Sequence, residues 1–450
     1  MAKSKTQYVC QQCGAQYSKW AGRCENCGEW NTLVEQLAVS GQSSVDKAGA
    51  SGKKLSVQTL SRAARSDATE RLSTRITDLD AVLGGGIVPG SVTLLAGQPG
   101  IGKSTLLLQI AAAIGQSQPV LYISGEESAH QVALRASRLG ADVSSKLDFA
   151  ASTSANNIAA TVQDGTYALV IVDSIQTVSV DEMTSAPGSV SQITNSSNVL
   201  IRAAKAAGSA VILVGHVTKE GSIAGPKVLE HLVDVVLQFE GDRYGGFKVV
   251  RAAKNRFGAT SEAAIFEMYE QGLQVVENPS AALLAERQSA DGSVVLATLE
   301  GTRPLLVEIQ ALVNPTTFGY PKRTASGFDL NRLNLLIAVL ERRTKLNLSD
   351  KDIYINVVGG LKLSDQAADL AICMAIASAS AGRQIDENTV VFGEVGLGGE
   401  IRSVVGVDRR IAEAKKLGFT QAVGPKTSQN AAYITGVTDL RTALIGYLQK

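Results

Sequence analysis

One stretch of this 450-residue chain constrains its fold more than any other: residues 97–104 match G-x-x-x-x-G-K-[ST] at every fixed position. An apolar run, residues 92–96, precedes the stretch, and an amphipathic pattern follows it. A strand, a glycine-rich turn and a helix in this order present backbone N–H groups and a helix N-terminus to phosphate oxygens. The sequence therefore predicts an ATP-binding loop in which Lys103 reaches the β- and γ-phosphates and Ser104 ligates Mg²⁺. The predicted nucleotide contacts are Gly97, Gln98, Pro99, Gly100, Ile101, Gly102, Lys103, Ser104 and Thr105.

The surrounding pattern predicts an α/β fold. Between residues 76 and 275, short apolar runs alternate with amphipathic stretches, which is typical of βαβ units and a mostly parallel sheet. The predicted strands are residues 92–96, 120–124, 169–173, 211–215 and 233–239, and the predicted helices are 104–114, 129–139 and 197–207. A mixed pattern after residue 280 predicts a second domain, with helices at 327–343 and 364–380 and strands at 293–298, 304–312, 353–358 and 390–392.

Three polar side chains are candidates for metal binding, catalysis and phosphate sensing beside this loop. Asp173 ends a predicted buried strand and is a candidate for the Mg²⁺ shell, although a turn or helix-cap aspartate is the alternative. Glu126 is the candidate general base that positions the attacking water, with Glu127 the close alternative and helix N-terminal charge the plainer interpretation of both. His216 follows another strand and is either a γ-phosphate sensor or an ordinary loop histidine.

Lys254 and Arg256 form a pair of cations after a strand-like run. Residues one apart lie on the same side of an extended chain, so both can reach ATP held by a neighbouring subunit, as arginine fingers do. A solvated basic turn is the alternative interpretation.

Four of the five cysteines lie near the start of the chain, as Cys10-x-x-Cys13 and Cys24-x-x-Cys27. Two such knuckles bring four sulfurs to one point, which suits tetrahedral Zn²⁺, and redox cysteines or an iron centre are the alternatives. Cys373 falls in an apolar helical run and is expected to be a core residue.

Composition limits how the protein can bind nucleic acid and where in the cell it is expected. The formal net charge is +1, so nucleic-acid binding has to come from local patches. We expect a cytoplasmic protein without membrane contact, because the sequence has neither a secretory h-region nor an apolar run of ~20 residues. Residues 36–58 are rich in Ser, Gly and Ala, which indicates a flexible linker.

Three segments carry a resemblance to a known family: residues 10–31, with their K-W-A-G-R-C and C-G-E-W-N motifs, residues 215–226, and the K-N-R-F-G signature at 254–258. Over its whole length the chain resembles the bacterial RadA (Sms) family of DNA repair proteins. The resemblance implies a zinc ribbon (1–35), a linker (36–58), a RecA-like ATPase (59–276) and a Lon-protease-like domain of S5 type (277–450).

The same resemblance implies a function. Members look like homo-hexameric helicase-type motors on single-stranded and branched DNA, which promote branch migration together with the RecA recombinase. In similar rings a Lys-x-Arg pair acts in trans, and Lys254 and Arg256 match it. By position, residues 184–192 and 218–227, with Lys219 and Lys227, correspond to DNA-contacting channel loops, and ordinary mobile loops are the alternative.

The resemblance to Lon raises the question of peptidase activity. Against the Lon pattern, the nucleophile position falls at Ala367 and the catalytic lysine position at Asp408, while Ser364 is out of register. Without a nucleophile and a base no covalent mechanism runs, so we expect no peptidase activity. The competing hypotheses are an ATP-dependent protease and a nucleotide-switched scaffold. The cations of this domain either form a DNA-contacting patch or are merely solvated; they are Arg303, Lys322, Arg323, Arg342, Arg343 and Lys345.

Overall fold

The computed structural model describes residues 6–12, 15–37, 59, 70–141, 146–216, 228–241, 246–317, 319–426 and 432–448. The predicted ligand Cys13, nearly all of the predicted linker and the predicted loop 218–227 lie outside this part of the chain. The chain divides into two compact units. The first runs to Phe239 and includes Ala252–Thr260 and Tyr269–Leu273; the second comprises Glu240–Arg251, Ser261–Met268 and the residues from Gln274 onward.

The first unit begins with a small three-stranded ribbon. Its strands are β1 (Thr6–Cys10), β2 (Gln16–Tyr17) and β3 (Leu33–Leu37), and they pair antiparallel in the order β2-β1-β3. The buried core of the ribbon consists of Cys10, Cys24 and Leu33. So small a core needs a further source of folding free energy, such as a bound metal ion.

The rest of the first unit is built on parallel strands. They are β4 (Val92–Gly97), β5 (Val120–Ser124), β6 (Leu147–Ala151), β7 (Leu169–Asp173), β8 (Ala210–His216) and β9 (Val235–Gly241). The helices are α1 (Thr77–Val82), α2 (Lys103–Gly115), α3 (Ala129–Arg138), α4 (Ala155–Asp164), α5 (Val190–Ala207) and α6 (Val228–Leu232).

The strand order is β9-β4-β8-β7-β5-β6, and every neighbouring pair is parallel. Strands β4, β5 and β7 are buried along nearly their whole length, as expected for a sheet covered on both faces. Because parallel strands end at the same edge, the residues that follow them meet there. The register pairs Gly97 with His216 and Ser124 with Asp173 at this edge.

The α/β fold predicted from the sequence is confirmed, and two local predictions were incomplete. Helix α5 begins at Val190 with Ser189 as its N-cap, whereas the sequence pattern placed its start at residue 197. The polar residues of its first two turns are weak helix formers, yet Ser191, Gln192 and Ser196 are buried by packing. Strand β6 and helix α4 were not predicted, because β6 alternates only weakly between buried and exposed positions.

The second unit holds an antiparallel pair and a larger mixed sheet. The pair is β10 (Lys248–Asn255) with β11 (Ala263–Tyr269), and β12 (Gly272–Val275) follows; residues 252–255, 269 and 272–273 of these strands belong to the first unit. The mixed sheet has the order β15-β16-β14-β13-β17-β20-β21. Its strands are β13 (Ser293–Glu300), β14 (Arg303–Pro315), β15 (Arg323–Ser326), β16 (Lys351–Val357), β17 (Thr389–Val391), β20 (Gln421–Pro425) and β21 (Ile434–Val437). A separate short pair joins β18 (Glu394–Val395) to β19 (Ile401–Arg402).

Helices pack on the mixed sheet of the second unit. They are α7 (Pro279–Leu284), α8 (Leu330–Thr344), α9 (Ala368–Ala381), α10 (Val407–Lys416) and α11 (Leu440–Leu448). Helix α9 is buried over most of its length and contains Cys373, which is confirmed as a core residue. Within the described part of the chain, no helix combines the length and the apolar character that a membrane crossing requires.

Candidate nucleotide site and metal centre

Lys103 lies inside its own loop. It is the first residue of α2, its side chain is buried, and its ammonium donates to the carbonyl oxygens of Gly97 at 2.8 Å and Gln98 at 3.0 Å. Burial lowers the pKa of Lys103 from 10.5 to about 8, and the negative charges of Asp173 and Glu126 only partly oppose this effect. These backbone bonds hold the ammonium at the position from which it can turn to a phosphate.

The glycines of the loop are required by backbone geometry. Gly100 and Gly102 have φ of 78° and 116°, which side chains of L-residues rarely adopt. Gly97 is restricted by space, since a Cβ there would lie 2.6 Å from the carbonyl oxygen of Phe239 on β9. The loop therefore keeps a bare backbone facing the space in which phosphates are expected.

His216 lies directly beside Lys103. Its Nδ1 is 3.2 Å from the Lys103 ammonium and accepts a hydrogen bond from it in the neutral tautomer that carries its proton on Nε2. Burial and the charge of Lys103 both lower the pKa of His216, so the imidazole is neutral near pH 7. The structure thus brings the predicted sensor to the loop, in contact with the lysine that is predicted to bind phosphate.

Asp173 ends β7, level with the last residue of β5. Tyr122 on β5 donates its hydroxyl hydrogen to Asp173 Oδ2 at 2.7 Å. Burial and the charge of Asp173 raise the pKa of Tyr122 well above its ordinary value, which keeps the phenol a neutral donor. One carboxylate oxygen is thereby oriented by the protein, and the other is available to a metal-bound water.

The two adjacent glutamates have different surroundings. Glu126 Oε1 accepts a hydrogen bond of 2.7 Å from the hydroxyl of Ser174, the residue that follows Asp173. Glu127 forms a bidentate pair with Arg135 on α3, with N···O distances of 2.7 and 2.5 Å. A carboxylate neutralised by a guanidinium is a poor base, whereas Glu126 remains beside Asp173 and Lys103. This geometry favours Glu126 over Glu127.

The predicted trans pair is engaged within its own chain. The Lys254 ammonium donates to the carbonyl oxygens of Glu230 at 2.7 Å and Val233 at 2.8 Å, at the end of α6. Arg256 pairs with Asp234 at 2.9 Å, but its side chain remains 53% exposed. The Asp234 carboxylate also accepts from the backbone N–H of Val92, where β4 begins. The two cations therefore differ: Lys254 caps a helix, and Arg256 lies at the surface in an ion pair.

The other residues of the K-N-R-F-G signature hold the segment to a glycine turn. Asn255 donates from its side chain to the carbonyl of Val82 at 3.2 Å, and a Cβ on Gly258 would lie only 2.7 Å from the Cα of Gly84. Arg71 joins both segments, since it donates to the carbonyl oxygens of Gly84 at 2.7 Å and Phe257 at 3.0 Å. Arg71 could not be assigned to this contact from the sequence, because it lies far from the signature along the chain.

The predicted channel segment 184–192 is partly helical and contacts the ribbon. Glu35 on β3 is buried; its carbonyl accepts from Ser191 at 2.5 Å and its carboxylate accepts from Thr184 at 3.3 Å. Gln192 is buried too, and its side-chain amide bonds to Val180 and Ser185. The segment is therefore anchored on both sides, and its exposed residues are Thr184, Ala186, Pro187, Gly188 and Val190.

Three cysteine sulfurs form the candidate metal centre. The Sγ atoms of Cys10, Cys24 and Cys27 lie within 4.8 Å of one another, with Cys10 and Cys27 3.6 Å apart. Zn–S bonds of ~2.3 Å in a tetrahedron place sulfurs ~3.8 Å apart, so this donor set fits zinc. A hydrogen bond from Tyr17, 3.3 Å from the sulfur, lowers the pKa of Cys24 to about 6 and favours the thiolate.

The Lon-like site positions of the second unit hold a buried ion pair. Ala367 is fully buried at the start of α9, and Ser364 and Asp408 are exposed. Arg410 is fully buried and donates to Asp365 at 2.7 Å. Burial opposes ionisation of Asp365, but the bonds and charge of Arg410 outweigh it and lower the pKa of Asp365. Among these described residues, no hydroxyl or amine is placed as a nucleophile and base would be.

The cations proposed as a patch in the second unit have separate surroundings. Arg303 donates to the carbonyl oxygens of Val276 and Glu277 at 3.2 and 3.1 Å. Arg342 and Arg343 lie in the last turn of α8, where positive charge complements the helix dipole, and Lys345 is its C-cap. Part of this set therefore has a local structural role.

Sequence analysis assigned no role to Tyr122, Ser174 and Arg135, which orient Asp173, Glu126 and Glu127. A signal for two of them was present, because Tyr122 lies on β5 and Ser174 directly follows β7, two strands already placed at the site. Arg135 is eight residues beyond its partner, and only the path of the chain into α3 brings them together.

A parallel sheet with a phosphate loop after β4 and carboxylates after β5 and β7 defines a RecA-like P-loop ATPase. Comparison with known families agrees: the AAA domain family matches residues 59–222, the rubredoxin metal binding domain matches residues 8–35, and subunit ChlI of Mg-chelatase matches residues 332–428.

Full-length relatives identify the family. The chain is 47% identical to the DNA repair protein RadA of Halalkalibacterium halodurans and 46% identical to that of Pseudomonas aeruginosa, in each case over 99% of both chains. The RadA of Bacillus subtilis is 47% identical over 99% of both chains. The crystal structure of the RadB recombinase covers 46% of this chain with all of its own, at 25% identity and a TM-score of 0.38. The chain belongs to the family of the DNA repair protein RadA.

Proposed function

We propose that this protein is a DNA-dependent ATPase of recombinational repair, a helicase-like motor that works as a homo-hexamer on single-stranded and branched DNA. It promotes branch migration together with the RecA recombinase. Its domains are the ribbon (1–35), a linker (36–58), the ATPase (59–276) and a Lon-like domain (277–450). The observation that carries the proposal is the convergence of Lys103, Glu126 and Asp173 at one sheet edge in a chain of the RadA family.

This convergence supports hydrolysis rather than nucleotide binding alone. Lys103 supplies the phosphate-binding charge, Asp173 an oxygen ligand for Mg²⁺ or its water, and Glu126 a carboxylate free of any cationic side-chain partner among its described hydrogen bonds. Positioning and electrostatic stabilisation account for most of phosphoryl-transfer catalysis, and all three groups serve them. A nucleotide-switched scaffold has no need for a positioned base.

The first experiment measures steady-state ATP turnover of zinc-loaded full-length protein with and without single-stranded DNA. We expect DNA to stimulate turnover. We also expect Lys103→Ala to lose turnover, because this substitution removes the ammonium that is buried in the loop. Absence of stimulation by both single-stranded and branched DNA would refute the motor function. Normal turnover in Lys103→Ala would refute the assignment of the loop.

We assign the trans contact chiefly to Arg256. The Arg256 side chain is 53% exposed and can turn outward, while the buried Asp234 carboxylate keeps its hydrogen bond from the backbone N–H of Val92. Lys254 is held by carbonyl oxygens of its own chain and acts as a positioning residue that fixes the strand leading to Arg256. Hydrolysis then depends on assembly.

Subunit mixing tests the trans contact. Arg256→Ala keeps its own loop and Lys103→Ala keeps its Arg256, so mixed rings contain interfaces with both parts intact and we expect turnover above that of either variant. The matched control mixes Lys103→Ala with Glu126→Gln, whose defects both lie in the same subunit's site, and is expected to recover nothing. Equal recovery in both mixtures, or none in either, would exclude a trans role for Arg256.

The Lon-like domain is proposed to be inactive as a peptidase and to act as a ring-forming, DNA-contacting scaffold. The Asp365–Arg410 pair next to Ala367 supports this proposal, because an ion pair with a fully buried arginine occupies the region in place of a nucleophile and base. A casein-degradation assay with ATP and DNA is expected to detect no cleavage. Cleavage of casein by the protein would overturn the proposal. It would do so even if the cleavage persisted in a Ser364→Ala control.

A further inference from the structure

The ribbon carries an exposed aromatic surface that metal binding does not explain. Trp20 and Trp30 are 59% and 67% exposed, and a Cβ built on Gly22 would lie 3.8 Å from a ring carbon of each indole. The two indoles therefore border the same glycine. The chain contains two tryptophans in all, and both lie here, which is a concentration of solvent-exposed aromatic area that a ribbon does not need for folding.

This surface is held in place by the fold. The backbones of Arg23 and Trp30 form an antiparallel bridge, and Asn31 donates its N–H to the carbonyl of Gly22 at 2.8 Å. The Arg23 guanidinium lies 5.8 Å from the centre of the Trp30 ring, and its Nε donates to the carbonyl of Gly28 at 2.7 Å. The Trp30 ring and the planar Arg23 cation are thereby held in position, and groups held in this way lose little conformational entropy on binding.

We infer that Trp20 and Trp30, with Arg23, form a stacking platform for the bases of single-stranded DNA. Proteins that bind single strands without sequence preference present aromatic faces and arginine to successive bases. The inference rests on the proposed function, since it assigns to the ribbon a share in binding the motor's DNA. It adds a contact outside the ATPase core and specifies its chemistry.

The attachment of the ribbon favours DNA over a protein as the occupant. Glu35 docks on Ser191 and Thr184, which lie in the segment 184–192 proposed to contact DNA. The five residues from Trp30 to Glu35 span at most about 18 Å, so the platform lies within a few nucleotides of that segment. A strand that leaves the segment can therefore reach the indoles.

The charges around the platform predict how it binds. Lys19 and Arg23 are balanced in number by Glu25 and Glu29, so phosphate attraction contributes little here. Stacking is then the main contribution, and its loss should cost about 5- to 150-fold in affinity for each indole that stacks. Because stacking releases few counterions, this ratio should change little between about 50 and 200 mM salt, while the total affinity falls.

Intrinsic fluorescence tests the platform directly, because the platform contains every tryptophan of the chain. Zinc-loaded full-length protein is titrated with oligo-dT in the presence of a non-hydrolysable ATP analogue, and binding is followed in parallel by anisotropy of a labelled oligonucleotide. We expect quenching of tryptophan emission in step with binding. Trp20→Ala and Trp30→Ala should weaken binding, and Trp20→Phe and Trp30→Phe should largely restore it. Zinc content, measured for every variant, reports the fold of the ribbon.

The control variant is Leu134→Ala, which removes an exposed apolar side chain from α3 and should leave affinity unchanged. Binding without quenching, together with unchanged affinity of both alanine variants, would overturn the platform and leave the proposed motor intact. Unchanged DNA affinity combined with loss of repair in cells would assign the indoles to a protein partner and equally overturn it. Absence of any binding to single-stranded DNA would instead refute the proposed function itself.

Discussion

The buried position of Lys103 makes nucleotide affinity depend on pH in a way that can be calculated. In the free enzyme the pKa of Lys103 is lowered from 10.5 to about 8, chiefly by burial. A phosphate beside the ammonium favours the charged form, so the pKa returns above the working range when nucleotide binds. Above pH 8 the free enzyme has lost this proton, and binding must take it up again.

The magnitude follows from linkage. With a free-enzyme pKa of about 8, the dissociation constant should rise about eightfold between pH 7.5 and 9.0, and binding at pH 9 should take up about 0.9 proton. His216 does not contribute in this range, because its pKa is lowered from 6.5. Isothermal titration with a non-hydrolysable ATP analogue, in two buffers of different protonation enthalpy, measures both quantities.

The matched control is Lys103→Arg, because a guanidinium stays charged throughout this range. Whatever its affinity, this variant should lose the pH dependence and the proton uptake. An affinity that stays constant up to pH 9 would show that the ammonium is not desolvated in the free enzyme. The same pH dependence in Lys103→Arg would assign the proton to another group.

Three further predictions concern other parts of the molecule. Glu126→Gln should lower turnover by about 10²–10⁴-fold with nucleotide binding retained, and Glu127→Gln much less, as single-turnover hydrolysis will show; equal losses would contradict the assignment. Arg410→Met leaves Asp365 buried without its cation and should lower the free energy of unfolding by about 3–5 kcal/mol; an unchanged urea midpoint would contradict this. Cys27→Ala should release zinc from the purified protein, and full metal content would exclude it as a ligand.

The sequence predicted the elements whose signals are local. The strands before Gly97 and Asp173 are continuous apolar runs, and the loop between β4 and α2 has a pattern that phosphate binding dictates. Helix α5 was predicted too short because the polar residues around Ser191 resemble a loop until packing buries them. Whether the polar face of a helix is buried depends on tertiary packing by residues that are distant along the chain.

Adjacent residues with identical side chains cannot be separated by pattern. Glu126 and Glu127 differ only because the chain turns one toward Ser174 and the other toward Arg135. Lys254 and Arg256 likewise match one motif, yet one is surrounded by carbonyl oxygens and the other by a carboxylate and solvent. Partners that are distant along the chain determine these differences.

The docking of Glu35 has a thermodynamic consequence for the proposed motor. The buried glutamate and Ser191 join the ribbon to the first turn of α5, so the free energy that folds the ribbon also orders the segment beside that turn. In zinc ribbons of this size the metal supplies most of the folding free energy, and three cysteines of this ribbon are placed to hold one. By reciprocity, a ligand that orders residues 184–189 must tighten the hold on the metal by the same factor by which zinc improves binding of that ligand. Zinc occupancy of the ribbon and ligand binding at residues 184–189 are thus thermodynamically coupled, and a measurement of either reports on the other.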